Sequence, residues 1–154
     1  MPDALTSESA LAVYGYGALF FGTLIEGETF LLGAAVLAVM GYLDWPRVVV
    51  SAFAGAYLGD QVFFHLGRLG RGLPLKPAPV WQRRLKRAGR LLEIHRLKIL
   101  IGYRFLYGLR AAIPFAIGAS GFRVPSFMIL SGLGALAWVA VHCLVGTILA
   151  TCWR

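Results

Sequence analysis

The chain has 154 residues, 58% of them hydrophobic and only 14% charged, with a mean hydropathy of +0.72. A soluble domain carries roughly 25% charged residues and about 45–50% apolar ones, so an ordinary water-soluble globule is excluded. Strict apolar–polar alternation in strands of about ten is missing, which excludes a membrane β-barrel. The net charge of +8 and the pI near 10.1 would suit nucleic acid, but most of the basic residues lie in one short stretch between apolar blocks, so no nucleic-acid partner is expected. What remains is an all-α polytopic membrane protein forming a single membrane domain over 1–154.

The first eight residues lack the positive n-region of a signal peptide and the arginines of a transit peptide, so the segment is expected to be retained. An apolar block follows over 9–25. The next, near 26–43, begins with Glu26-Gly27-Glu28. On a regular helix two residues two apart point to nearly opposite sides, and one carboxylate would face lipid. A break at Gly27 avoids this, because glycine adopts backbone angles closed to other residues. Pro46 then opens a long apolar helix, 46–66, since a missing N–H costs nothing in a first turn. Within it Gly55 and Gly59, four apart, let another helix approach closely. That places Asp60 at a helix contact rather than in lipid.

Residues 67–98 hold ten Lys/Arg against one acid, Glu93, while the rest of the chain has five basic and six acidic residues. The positive-inside rule places this loop in the cytoplasm. Pro74, Pro77 and Pro79 keep its start non-helical. Val80–Lys98 reads as an amphipathic helix, with Trp81, Leu85, Ala88 and Leu92 on one stripe and arginines opposite. Such a helix lies on an anionic membrane surface. The block 99–122 carries Arg104 and Arg110, with Gly108 between them and Pro114 and Gly118 beyond. A hairpin bending near Gly108 would bring both guanidiniums into one cavity, a good receptor for a phosphate. A last helix, 125–150, contains His142 and Cys143. Cys143 and Cys152 are too far apart on one helix to bridge.

Two parts of the chain echo one another. Gly41-Tyr42, Pro46, Gly55-Ala56 and Gly67 correspond to Gly121-Phe122, Pro125, Gly134-Ala135 and Gly146. The fold expected is an inverted repeat of a re-entrant helical hairpin plus a transmembrane helix. The halves are 9–66 and 99–150, the re-entrant blocks lie near 26–43 and at 99–122, and a cytoplasmic amphipathic helix joins the halves. Re-entrant segments build transporter sites near the bilayer midplane. Charges at mid-membrane cost about 2.5–3.5 kcal/mol each on insertion scales and mark substrate or proton paths. By that logic Glu28, Asp60 and Glu26 each pair with another charge, face water or mark a path for a substrate or proton. Arg104 and Arg110 are phosphate-binding candidates, and Gly27, Gly55, Gly59, Gly108, Pro114 and Gly118 are hairpin or packing residues. No metal-ligand cluster, phosphate loop or nucleophile elbow is readable. No metal, cofactor or enzymatic activity is expected.

The run Arg104-Phe105-Leu106-Tyr107-Gly108-Leu109-Arg110, followed by Gly118, Gly121-Phe122, Phe127, Gly134 and Trp138, resembles the signature of DedA membrane proteins, the VTT-domain superfamily. Gly27-Glu28, Gly41 and Gly55…Gly59-Asp60…Gly67-Arg68 resemble the first half of that signature. Tyr107 and Glu26 stand where the family has prolines. The resemblance implies a multi-pass protein of the bacterial inner membrane that translocates a lipid phosphate, most readily undecaprenyl phosphate, driven by protons. Positions matching Glu28 and Asp60 are associated with proton coupling, and those matching Arg104 and Arg110 with function. The expected partners are a polyprenyl phosphate or phospholipid, the bilayer itself and a second copy in a homo-oligomer. Two other readings stand beside it: a proton-coupled carrier or channel for a small soluble solute, and a scaffold in which the charges only pair.

Overall fold

A computed structural model describes residues 3–25, 27–71, 79–106 and 109–152. All regular structure among them is helical. Helix α1, Asp3–Ile25, stops where Gly27 takes φ +85°, and the Gly27 N–H bonds back to the Gly22 carbonyl at 2.9 Å. Helix α2, Glu28–Val39, starts at once, with the Glu28 carboxylate in its first turn, where the helix dipole favours negative charge. It ends in a Schellman motif. Gly41 takes φ +83° and donates to Ala38 O, while Tyr42 donates to Leu37 O at 2.9 Å. Helix α3, Trp45–Leu69, follows, its first internal bond running from Val48 N–H to Asp44 O at 3.0 Å.

The second half repeats this order. Helix α4, Pro79–Gly102, runs into a 3-10 turn at Tyr103–Phe105, and then comes the short helix α5, Ala112–Ala119. Gly121 takes φ +82°, its N–H reaching Gly118 O at 3.3 Å, and helix α6, Val124–Cys152, begins with Phe127 N–H on Arg123 O at 3.1 Å. Val48, Ala52 and Ala56 of α3 are buried, and so are Phe127, Ser131 and Ala135, each 79 residues later on α6. The expected helix 80–98 is longer than the sequence reading allowed. Tyr103 and Ile99 continue the buried stripe of Ala88 and the half-buried Leu85, so the first four residues of the block 99–122 complete α4. The side chains of Trp81 and Leu92 lie outside the described residues.

The chain forms two compact units, Met1–Ala56 with Ala137–Arg154, and Tyr57–Leu136. The core of the first gathers Leu19, Leu31, Ala34 and Ala38 around Val48, Ala52, Trp138 and Val139. That of the second gathers Phe64, Ala88, Ile99 and Tyr103 around Ile113, Ile117 and Phe127, with the Phe64 and Phe127 rings stacked at 4.2 Å.

Small residues set the closest helix contacts in both units. A Cβ on Gly67 would lie 2.0 Å from Phe115 O, and one on Gly118 2.0 Å from Phe64 O, so α3 and α5 touch backbone to backbone. In the first unit a Cβ on Gly146 of α6 would lie 2.5 Å from the Ala35 Cβ of α2, and one on Gly55 2.3 Å from Phe20 O. Gly67 and Gly146 correspond in the repeat, and so do their partners, Phe115 and Ala35. Helix α6 has 29 residues and, among the described residues, is the helix both long and apolar enough to cross a bilayer by itself. At about 1.5 Å per residue α2 is roughly 18 Å long and α5 roughly 12 Å, short of the ~30 Å hydrocarbon core.

The glycine contacts give a direct expectation. Gly67→Leu should lower thermal stability in detergent by about 1–3 kcal/mol, the usual cost of overpacking. Gly33→Ala, where nothing lies within 4 Å, should leave the melting temperature unchanged or slightly raised.

Candidate functional site: a buried acid–arginine pair

Asp60, Phe64 and Gly67 follow one another at i, i+4 and i+7 on α3, so they share a face. The Gly67–Phe115 contact turns that face toward α5 and the turn that precedes it. The turn is where α4 ends. Tyr103 and Arg104 leave the helix there, and both are buried. Arg104 Nη2 donates to Asp60 Oδ2, and the Tyr103 hydroxyl donates to the same oxygen. The side chains of Arg104 and Asp60 are 0% and 3% exposed, so both charges have left solvent.

The charge of Arg110, from the segment leading into α5, also acts on Asp60. The site therefore holds one acid and two bases. Removing two ions from water costs several kcal/mol per ion, and their attraction compensates only when the geometry is close. Two donors on one carboxylate oxygen supply that geometry. Nearby, Gln61 Nε2 donates to Ser131 Oγ at 3.0 Å, a neutral bond between α3 and the buried Ser131 of α6.

Among the residues expected from the sequence, the structure brings Asp60 and Arg104 into contact and Arg110 within electrostatic reach of them. Glu28 opens α2 in the other unit, half-buried. Gly27 is the left-handed break and Gly55 the close approach to α1, while Gly59 is buried beside Asp60. Pro114 and Gly118 are buried in α5. Glu26 and Gly108 lie outside the described residues. His65 and His142 each turn Nδ1 to the carbonyl four residues back, at 2.8 and 2.9 Å. Among the described residues no group of three His, Cys, Asp or Glu side chains is placed to hold a metal.

Sequence reasoning missed Tyr103. Its one signal was a phenol beside an intramembrane arginine, because a buried tyrosine hydroxyl nearly always finds a partner.

The model of the VTT domain matches residues 15–148, most of the chain. Inner membrane protein YohD of Escherichia coli K12 is 40% identical over 136 residues, 88% of this chain and 71% of that protein. The uncharacterized membrane protein slr0232 of Synechocystis is 40% identical over 93 residues, 56% of this chain and 38% of that protein. Inner membrane protein YghB of E. coli K12 is 29% identical over 126 residues, 77% of this chain and 56% of that protein. No solved structure matches.

Cutting one side of the pair strands the other. Asp60→Ala should cost about 3–5 kcal/mol of stability, the range for breaking a buried ion pair. Combining it with Arg104→Leu should recover most of that loss, as read by thermal unfolding of the purified variants.

Proposed function

The chain belongs to the VTT-domain (DedA) family of membrane proteins, and on that premise we propose that it translocates a lipid phosphate across the bacterial inner membrane, with undecaprenyl phosphate as the preferred cargo and protons as the driving ion. The observation that supports this most is the guanidinium of Arg104, wholly withdrawn from water and neutralised by Asp60. An arginine inside an apolar protein is expensive, and it is retained where it binds or moves something. A guanidinium offers a planar fork of donors that matches two phosphate oxygens. Asp60 then acts as the resident counter-ion. It holds Arg104 while no phosphate is bound, and on taking up a proton it yields that place to the head group. Arg110 adds the second positive charge that a phosphate dianion requires.

Glu28, at the head of α2, is the proton carrier of the other unit. The recurring order of long helix, short helix, left-handed glycine and long helix reads as the inverted repeat, with α2 and α5 as the re-entrant arms. The polyprenyl tail stays in lipid while the head group crosses. The basic loop 67–98 faces the cytoplasm, in keeping with the inner-membrane names of YohD and YghB.

One observation favours a second reading. The pair is so fully buried that it would also serve as a structural tie in a non-transporting scaffold. The test is flipping of a fluorescent polyprenyl phosphate in proteoliposomes under a pH gradient. Arg110→Lys should slow flipping about tenfold, the equivalent of one lost charge-assisted bond. Arg123→Lys, at an exposed position ahead of α6, should flip like the parent. Equal rates in the two variants would sink the phosphate reading. A charge-swapped pair, Asp60→Arg with Arg104→Asp, should be inactive in a transporter; full recovery of rate and stability would mark the tie as structural.

A further inference from the structure

We propose that Tyr103 is the positioning residue for proton binding at Asp60, a group already bonded to the acid that can hold it in both its charged and its neutral form. The proposal rests on the reading of Asp60 as a proton carrier and adds to it a residue with its own chemistry.

Tyr103 is 0% exposed, and its ring is packed in a cluster otherwise made of Phe, Ile, Leu and Ala. The other aromatic members, Phe64 and Phe127, carry no polar atom. A phenylalanine would fill the same space, so the hydroxyl is what distinguishes the position. That hydroxyl donates to Asp60 Oδ2, the oxygen that also receives Arg104.

The donor inventory shows why this matters. A guanidinium only donates, whereas a hydroxyl both donates and accepts. With Asp60 ionised, Tyr103 and Arg104 both donate to it and the pair is closed. A proton arriving from water adds to a carboxylate oxygen. Only hydrogen bonds rearrange, and the charge of Arg104 is unchanged. The new carboxylic O–H then needs an acceptor, which neither Arg104 nor Arg110 can be. The Tyr103 oxygen can, by turning its own hydrogen away. Among the described residues, the titratable groups that act on Asp60 are Tyr103, Arg104 and Arg110. Tyr103 is the acceptor among them. Protonation thus releases Arg104 without leaving the acid unsatisfied, and the site gains one net positive charge for a phosphate ester to offset.

The experiment is infrared difference spectroscopy, acidic minus neutral, on the full chain in nanodiscs. A protonated-carboxyl band should appear that Asp60→Asn abolishes. Tyr103→Phe should move that band to higher wavenumber, as a carboxyl does when it loses a hydrogen bond. An unmoved band, or no Asp60 band at any pH, would overturn the proposal. Should Tyr103→Phe fail to fold, isotope-labelled tyrosine in the parent protein asks the same question. Its ring C–O band must change together with the Asp60 band, and independence of the two would also overturn the proposal. Flipping of fluorescent polyprenyl phosphate is measured on the same variants in proteoliposomes. A band that shifts in a protein that does not flip refutes the lipid-phosphate reading and leaves Tyr103 assigned. Flipping with an unmoved band refutes Tyr103 alone.

Discussion

A carboxylate and a guanidinium that have both left water can stay charged only while they hold each other, and the second unit is organised around that requirement. Asp60 comes from the middle of α3, Arg104 from the turn that ends α4, and the two meet because the backbones beside them touch. The Gly67–Phe115 and Gly118–Phe64 approaches bring α3 and α5 together without intervening side chains. The stacked Phe64 and Phe127 rings and the Tyr103 ring belong to one buried cluster. A side chain in place of either glycine would separate the helices, and the pair would loosen with them. Electrostatics and packing are therefore one constraint here. The low dielectric that makes the pair strong is created by the same tight contacts that position it.

The first unit is built with the same devices, and its ion pair among the described residues, Asp44 with Arg47, is exposed rather than buried. Its short helix α2 meets α6 through Ala35 and Gly146, as α5 meets α3 through Phe115 and Gly67. Helices α3 and α6 each start from a proline in the first turn, after a glycine with positive φ. Each thus begins in the core of one unit and ends in that of the other. Neither half of the sequence closes a core by itself; α3 and α6 are exchanged between them.

Much of this was legible because glycine and proline leave local marks. Gly27 was read as a break, since a left-handed backbone angle selects for glycine regardless of tertiary context, while Gly41 and Gly121, which take the same angle, were marked only as matching positions of the echo. Pro46 and Pro125 marked helix starts to within a residue or two. Asp60 was read as a proton carrier and Arg104 as a phosphate ligand, with pairing of Glu28 or Asp60 with an arginine as the alternative, and nothing in the spacing announced which acid meets which arginine. That pairing is a tertiary fact, dependent on which faces of α3 and of the turn after α4 come together. Tyr103 was hidden for a related reason: in an apolar run an aromatic reads as core, which it also is. The end of α4 was misplaced because hydropathy does not distinguish a helix buried in protein from one entering lipid, and Ile99 satisfies both descriptions.

When α6 is laid on α3 at the 79-residue offset, Val139 falls where Asp60 stands, and both are buried. At the 80-residue offset that relates Gly41 to Gly121, Thr23 of the first half falls where Tyr103 stands, its hydroxyl donating to Phe20 O of its own helix. Two frames of similar backbone thus carry different electrical contents. A buried charge needs a partner wherever it goes, and an aliphatic side chain needs only space. The frame around Asp60 and Arg104 is therefore held to one close geometry, while the frame around Val139 has no buried ion pair at the matching place to constrain it.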